Sequence, residues 1–138
     1  MFPKDITPEI INSFSPNTLV SHLGITVTEI GSDYIKAKMP INEHTHQYMG
    51  ILHGGASVVL AETIGSVGSY LLLDRETQYT VGLEVNANHV GSAKEGMANA
   101  VAKILHKGKK THVWSIEIYD DNTKLLSVCR LTMMIITK

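Results

Sequence analysis

Apolar residues recur along this chain with two different periods. In the stretch Tyr34–Met39, Ile35, Ala37 and Met39 alternate with Lys36 and Lys38. In His112–Tyr119, Trp114, Ile116 and Ile118 alternate with Ser115, Glu117 and Tyr119. A period of two marks a half-buried strand. The pattern and its punctuation predict strands over Gly24–Ile30, Tyr34–Met39, Tyr79–His89, Met97–His106, His112–Tyr119 and Leu125–Ile136. Turn-forming residues divide them at Gly31-Ser32-Asp33, Gly91–Gly96, Lys107–Lys110 and Asp120-Asp121-Asn122. Ala56–Leu73 is different: it is apolar on nearly every side and reads as the one long helix. Thr7–Ser13 predicts a short helix, with Thr7 as cap and Pro8 in the first turn. Asn42–Gly50 reads as a polar loop. Two strands, a long helix and four strands predict the α+β class, with an antiparallel sheet curled around one central helix and burying most of its circumference.

The length of 138 residues fits a single domain spanning 1–138. Apolar residues at 43% exclude a disordered chain. Twelve Lys plus Arg against 13 Asp plus Glu leave a net charge of -1, which argues against nucleic acid as a partner. The N-terminal residues show no basic segment followed by an apolar run, so no secretory signal is expected. Gly54–Leu73 is long enough to span a bilayer, but Glu62 near its centre makes a buried core helix the better reading. Cys129 is the sole cysteine, so no intrachain disulfide or thiolate cage can form. A lone thiol fits a reducing compartment, and the cytoplasm is the expected location.

Between His53 and Asp74 the only charged residue is Glu62, set among Val58, Val59, Leu60, Ala61, Ile64 and Val67. A carboxylate there is costly unless it is paired or functional. Ser66 and Ser69 follow at i+4 and i+7, so Glu62 heads an expected polar stripe. The competing explanation is a structural Glu bonded inside a dimer core. Upstream, His53-Gly54-Gly55 opens the helix. Unpaired N–H groups at a helix start form a donor site for an anion or a developing oxyanion. An ordinary tight turn capped by His53 explains the same residues. It is not a phosphate-binding loop, since no Gly-Lys-Ser/Thr follows. His44, His46 and His53 lack the Cys or carboxylate partners of a metal site, so no metal is expected. Gly65-Ser66-Val67-Gly68 lies inside a helix, not at a nucleophile elbow. Lys107, Lys109 and Lys110 crowd one loop, which is either merely solvated or a clamp for a phosphate-bearing ligand.

Three ordered blocks carry a resemblance. The segment from Gln47 to Glu62, with Gln47, His53-Gly54-Gly55 and Glu62, resembles the signature of the hotdog-fold acyl-CoA thioesterases. The similar branch is the one containing 1,4-dihydroxy-2-naphthoyl-CoA hydrolase and the enterobactin-synthesis proofreading thioesterase. Val81–Val90 and Val113–Ile118 are similar to the same branch, and the likeness runs from about Leu23 onward.

The resemblance implies a hotdog fold and hydrolysis of acyl-CoA thioesters, aromatic ones above all, with a place in menaquinone biosynthesis. It implies Glu62 as nucleophile or general base, with Gln47, His53 and the Gly54 N–H polarising the thioester carbonyl and Ser66 assisting. It implies that Gly82, His89, Val90, Gly91, Ser92 and the loop His106, Lys107, Gly108, Lys109, Lys110, Thr111 line the acyl and coenzyme A channel. Relatives often carry Arg where this chain has Gly91, so Lys94, Lys109 or Lys110 is expected to supply the phosphate contact. No cofactor is implied, and a carrier-protein thioester is an alternative substrate. The competing functions are a non-catalytic acyl-CoA or carrier-protein binding domain and a hydratase. A hydratase would favour an Asp/His pair that is absent from the motif.

Spacing adds one demand of its own. Glu62 stands eight residues beyond Gly54, about 12 Å along a helix at about 1.5 Å per residue. Attack needs roughly 3–3.5 Å between reacting atoms. Two antiparallel helices across a two-fold axis meet that demand, so a homodimer with shared sites is expected. The resemblance implies a homotetramer, a dimer of dimers.

Overall fold

The computed structural model describes residues 2–138. Helices α1 (Pro8–Asn12) and α2 (Leu19–His22) precede strands β1 (Thr26–Ile30) and β2 (Tyr34–Pro40). Helix α3 (Gly54–Leu71) follows, then β3 (Gln78–His89), β4 (Met97–Lys107), β5 (Thr111–Tyr119) and β6 (Leu125–Thr137). The strands form one antiparallel sheet in the order β1-β2-β4-β5-β6-β3. This is the hotdog architecture that the pattern and the resemblance predict.

Alternation decides which side of each strand meets α3. His112, Trp114, Ile116 and Ile118 of β5 point inward, as do Ala98, Ala100 and Ala102 of β4. The alanines leave room for the helix to settle onto the sheet centre. On α3 the buried positions include Ser57, Leu60, Ala61, Ile64, Gly65 and Gly68, the i, i+3, i+4 spacing of one face. In this chain the sheet therefore covers one side of the helix, not most of its circumference as expected. Val58, Val59, Glu62, Thr63, Ser66 and Val67 are left half-buried on the other side.

The sheet has two edges, β1 and β3, and they are finished differently. Asn12 closes β1: its side-chain amide donates to the Val27 carbonyl and accepts from the Val27 N–H, both at 2.9 Å. The amide thus takes the place of a neighbouring strand. Among the described residues, strand β3 pairs only with β6 and leaves its other edge bare, with Tyr79, Val81 and Leu83 exposed. An uncovered apolar edge strand is a template for pairing.

The helix begins at Gly54, two residues before the predicted start, with His53 as its N-cap. The short helix α2 was not predicted; its four residues are too few to show a period. Among the described residues no helix is long and apolar enough to cross a membrane.

Candidate functional site

The loop before α3 is held by its own backbone. Buried Thr45 donates its hydroxyl to the Pro40 carbonyl at 2.8 Å, and His53 N–H donates to the Thr45 carbonyl at 2.8 Å. Gln47 and Ile51 bracket a tight turn in which Gly50 takes φ +71°, open to glycine without strain. The Gln47 side-chain oxygen accepts from the Met49 N–H, which leaves its NH₂ group free to donate outward.

At the helix start the orphan donors are nearly all used. The Gly55 N–H donates to His53 Nδ1 at 2.7 Å, and the Ala56 and Ser57 N–H groups donate to the His53 carbonyl at 3.0 and 3.3 Å. Among the described residues no acceptor faces the Gly54 N–H. The expected set of free donors thus narrows to Gly54. Because His53 Nδ1 accepts, the ring hydrogen lies on Nε2, directed away from the cap. His53 is both the cap and a possible outward donor, so the two readings of the motif coexist.

Gln47, Gly54, Ser57, His89, Gly91 and Ser92 meet around a cavity of about 220 Å³. Gln47 and His53 also border a wider hollow with His46 and Tyr48. The predicted residues Gln47, His53, Gly54, His89, Gly91 and Ser92 are therefore one cluster. Val90 points away and is exposed. Lys94 lies at the cluster's margin, where its carbonyl meets His46 Nε2 at 2.8 Å.

Glu62 is not in this cluster. Its carboxylate lies against Gly82 of β3, where a Cβ would strike Oε1. Gly82, expected to line the acyl and coenzyme A channel, lies beside Glu62 on the bare-edge side of the sheet. Ser66 and Thr63, one turn further along or less, open into an apolar cavity of about 360 Å³. The N-terminal segment closes it through Ile11, Phe14 and Val20, with Tyr70 opposite.

Ser69 does not continue the polar stripe. It is fully buried, accepts from Trp114 Nε1 at 2.8 Å and pairs with His112 Nδ1 at 3.1 Å. Burial, with Lys107 and His106 nearby, holds His112 below the usual histidine range. His112 is thus a neutral structural partner.

The lysine loop is also apart from the helix start. Lys107–Thr111 turns β4 into β5 beside Met134 of β6, at the α3 C-terminal end of the sheet. Gly54 and His89 mark the other end, about 27 Å away along 18 residues at about 1.5 Å each. Within one chain, His106, Lys107, Gly108, Lys109, Lys110 and Thr111 do not join the cluster.

At Gly91 a Cβ would meet the Leu125 carbonyl and the Lys124 side chain. Lys124 donates through Nζ to the Ser92 carbonyl at 3.1 Å. Lys124 therefore lies beside Gly91, the position where relatives often carry Arg. It was not foreseen, because only the pairing of β3 with β6 brings it beside Ser92. The three histidines do not converge: His44 packs edge-on against His22 at 5.9 Å, and His46 and His53 have the separate partners given above.

Known proteins share the family and the fold. Residues 49–127 match the thioesterase superfamily. The chain is 47% identical over 136 residues to the 1,4-dihydroxy-2-naphthoyl-CoA hydrolase of Escherichia coli, covering 99% of both chains. A mutant thioesterase of Pseudomonas aeruginosa superposes with a TM-score of 0.97 at 41% identity, covering 99% of each chain. A thioesterase of Haemophilus influenzae does so at 0.94 and 43% identity, over 99% of this chain and 94% of that one. A helix start with a free donor, a carboxylate midway along the same helix and these relatives place the chain, as an enzyme, in the thioesterase superfamily.

Proposed function

We propose that the protein hydrolyses acyl-CoA thioesters with aromatic acyl groups, at sites each built from two copies of the chain. The carrying observation is the separation within one chain of Glu62 from the Gln47–Gly54 cluster, with Glu62 turned towards the bare β3 edge. A second copy paired antiparallel along β3 brings its Glu62 to the first copy's helix start. The same two-fold brings the partner's Lys107–Lys110 loop to that end, where it and Lys124 take the phosphates of coenzyme A. The spacing of Glu62 and Gly54 asks only for two chains, and the resemblance implies a dimer of dimers.

The thioester carbonyl receives hydrogen bonds from the Gly54 N–H, the Gln47 amide and His53 Nε2. Charge developing on oxygen in the transition state is worth more to these donors than the ground-state carbonyl is. Glu62 then acts by one of two routes. As a base it takes a proton from water, whose oxygen attacks the carbonyl carbon while the C–S bond breaks and the thiolate leaves. As a nucleophile it attacks directly, expels the thiolate and forms a mixed anhydride that water hydrolyses. Ser66 holds the attacking water in either route. The 360 Å³ cavity beside Ser66 is apolar and takes a flat ring. The relative named for 1,4-dihydroxy-2-naphthoyl-CoA supports that choice of acyl group.

Purified protein mixed with aryl and alkyl thioesters of coenzyme A and a thiol reagent tests the reading. Thiol release, fastest for aryl esters, is expected. No release from any ester refutes hydrolysis, and equal rates for alkyl esters refute the aromatic assignment. The same acyl group on a carrier protein and on free coenzyme A ranks the two carriers. Single turnover in labelled water tests the routes: the base route puts the label in the released acid, and an anhydride opened by water at the Glu62 carboxyl carbon leaves the first label in Glu62.

A further inference from the structure

His89 ends β3 opposite Ser127 of β6, and both side chains lie on the helix-facing side of the sheet. Ser127 is fully buried. Its Oγ lies 3.0 Å from His89 Nδ1, 3.4 Å from the Asn88 carbonyl and 3.5 Å from Cys129 Sγ. The other ring nitrogen, Nε2, occupies the space a Cβ at Gly54 would need. It borders the same small cavity as Gln47 and Gly54. The imidazole thus joins a buried hydroxyl to the helix start.

One proton decides what the ring presents there. If the Ser127 hydroxyl donates to Nδ1, the neutral ring carries its hydrogen on Nε2 and offers a donor. If the hydroxyl donates elsewhere, Nδ1 keeps the hydrogen and Nε2 offers a lone pair. The Asn88 carbonyl is the longer and weaker alternative at 3.4 Å. Behind Ser127, burial pushes the Cys129 thiol up, so it keeps its hydrogen and can donate to the serine oxygen. A hydroxyl that accepts from behind sends its own hydrogen forward, to Nδ1.

We infer that Ser127 is a positioning residue that fixes His89 as the Nε2–H tautomer, so that this N–H joins the Gly54 N–H in binding the thioester carbonyl oxygen. The tautomer stands on its own geometry, whereas the use made of it rests on the hydrolase reading. No proton leaves His89 during the reaction. The imidazole strengthens its hydrogen bond as the oxygen gains charge, a fixed dipole supplied without reorganisation.

Nitrogen NMR of histidine-labelled protein at about pH 8, above the ordinary histidine value of about 6.5, reads the tautomer directly. The His89→Gln variant assigns the signal. A hydrogen on Nε2 is expected, and a hydrogen on Nδ1 overturns the inference whatever the activity. Ser127→Ala should lower kcat about tenfold, the partial loss of one oxyanion donor, with KM within about twofold. Ser127→Thr, which keeps the hydroxyl, should restore most of that loss. In the His89→Gln background, whose amide cannot change tautomer, Ser127→Ala should have no further effect on kcat. Equal losses in both backgrounds would show that Ser127 acts through packing and not through His89. If the wild-type protein releases no thiol, the hydrolase reading falls and takes the carbonyl role of His89 with it. If the wild type is active but Nδ1 carries the hydrogen, only this inference falls.

Discussion

The two edges of the sheet have the same local defect and opposite finishes. Strand β1 bulges at Thr28 and β3 bulges at Leu83. On β1, Asn12 supplies the hydrogen bonds of an absent neighbour. On β3 nothing among the described residues does so, and Leu83 is 58% exposed. A closed edge needs no partner, whereas a bare apolar edge invites one. The bare edge is also the one with chemistry beside it, because Glu62 packs on Gly82 there. Assembly and catalysis are therefore expected beside β3, while the closed edge contributes stability and, through Asn12 and Val27, part of the wall of the apolar cavity.

The largest expected effect comes from removing the carboxylate at the bare edge. Glu62→Ala should lower kcat by about 10²–10⁴-fold, the usual range for a positioned acid or base. Its melting temperature should hold or rise, since a half-buried charge is lost. Full activity would remove Glu62 from the chemistry, and unfolding would make it structural.

Next come the two bulges. Leu83→Lys should weaken self-association about tenfold or more, because an ammonium taken out of water unpaired costs several kcal/mol. Activity should fall with it on dilution. Thr28→Lys on the closed edge should change neither. Sedimentation and activity across a dilution series check both, and equal effects at the two bulges would erase the contrast drawn between the edges.

Closing the first edge has its own measurable value. Asn12→Ala should cost about 1–3 kcal/mol, because the Val27 N–H and carbonyl lose their partner. Denaturant unfolding reads this, with the oligomeric state unchanged. The smallest effect is expected at the lysine loop. Lys109→Ala with Lys110→Ala should raise KM for a coenzyme A ester a few-fold, and less so at high salt, since exposed charges are screened over about 8–10 Å. A pantetheine ester without the nucleotide should not respond. An equal response of both esters would place the phosphates elsewhere.

Much of this was legible in the chain because it depends on period and local chemistry. Strict alternation in Ile35–Met39 and Trp114–Ile118 gave the strands and their inner faces. Gly54 and Gly55 are poor helix formers, so the apolar run announces α3 only from Ala56. Ser69 misled because spacing around a helix gives an angle and not a neighbour. Glu62 and Ser69 are near one another in angle, but Glu62 faces Gly82, which has no side chain, while Ser69 faces Trp114. The size of the opposing sheet residue decides which polar group stays open. Lys124 and the Asn12 edge cap depend on contacts between distant segments, and no local pattern encodes those. The relation between Glu62 and Gly54 was legible from helix rise alone, since no packing can shorten a rigid helix.

That relation carries the central claim, and subunit complementation tests it most directly. Glu62→Ala and His53→Ala chains, each inactive alone, are unfolded and refolded together, and hybrid dimers are counted by mass. In a hybrid, one of the two sites takes its helix start from the first chain and its carboxylate from the second, so both groups are intact. With half the dimers hybrid and one good site in each, activity should recover to about a quarter of wild type. Demonstrated hybrids with no recovered activity would place every catalytic group in a single chain and contradict the shared site.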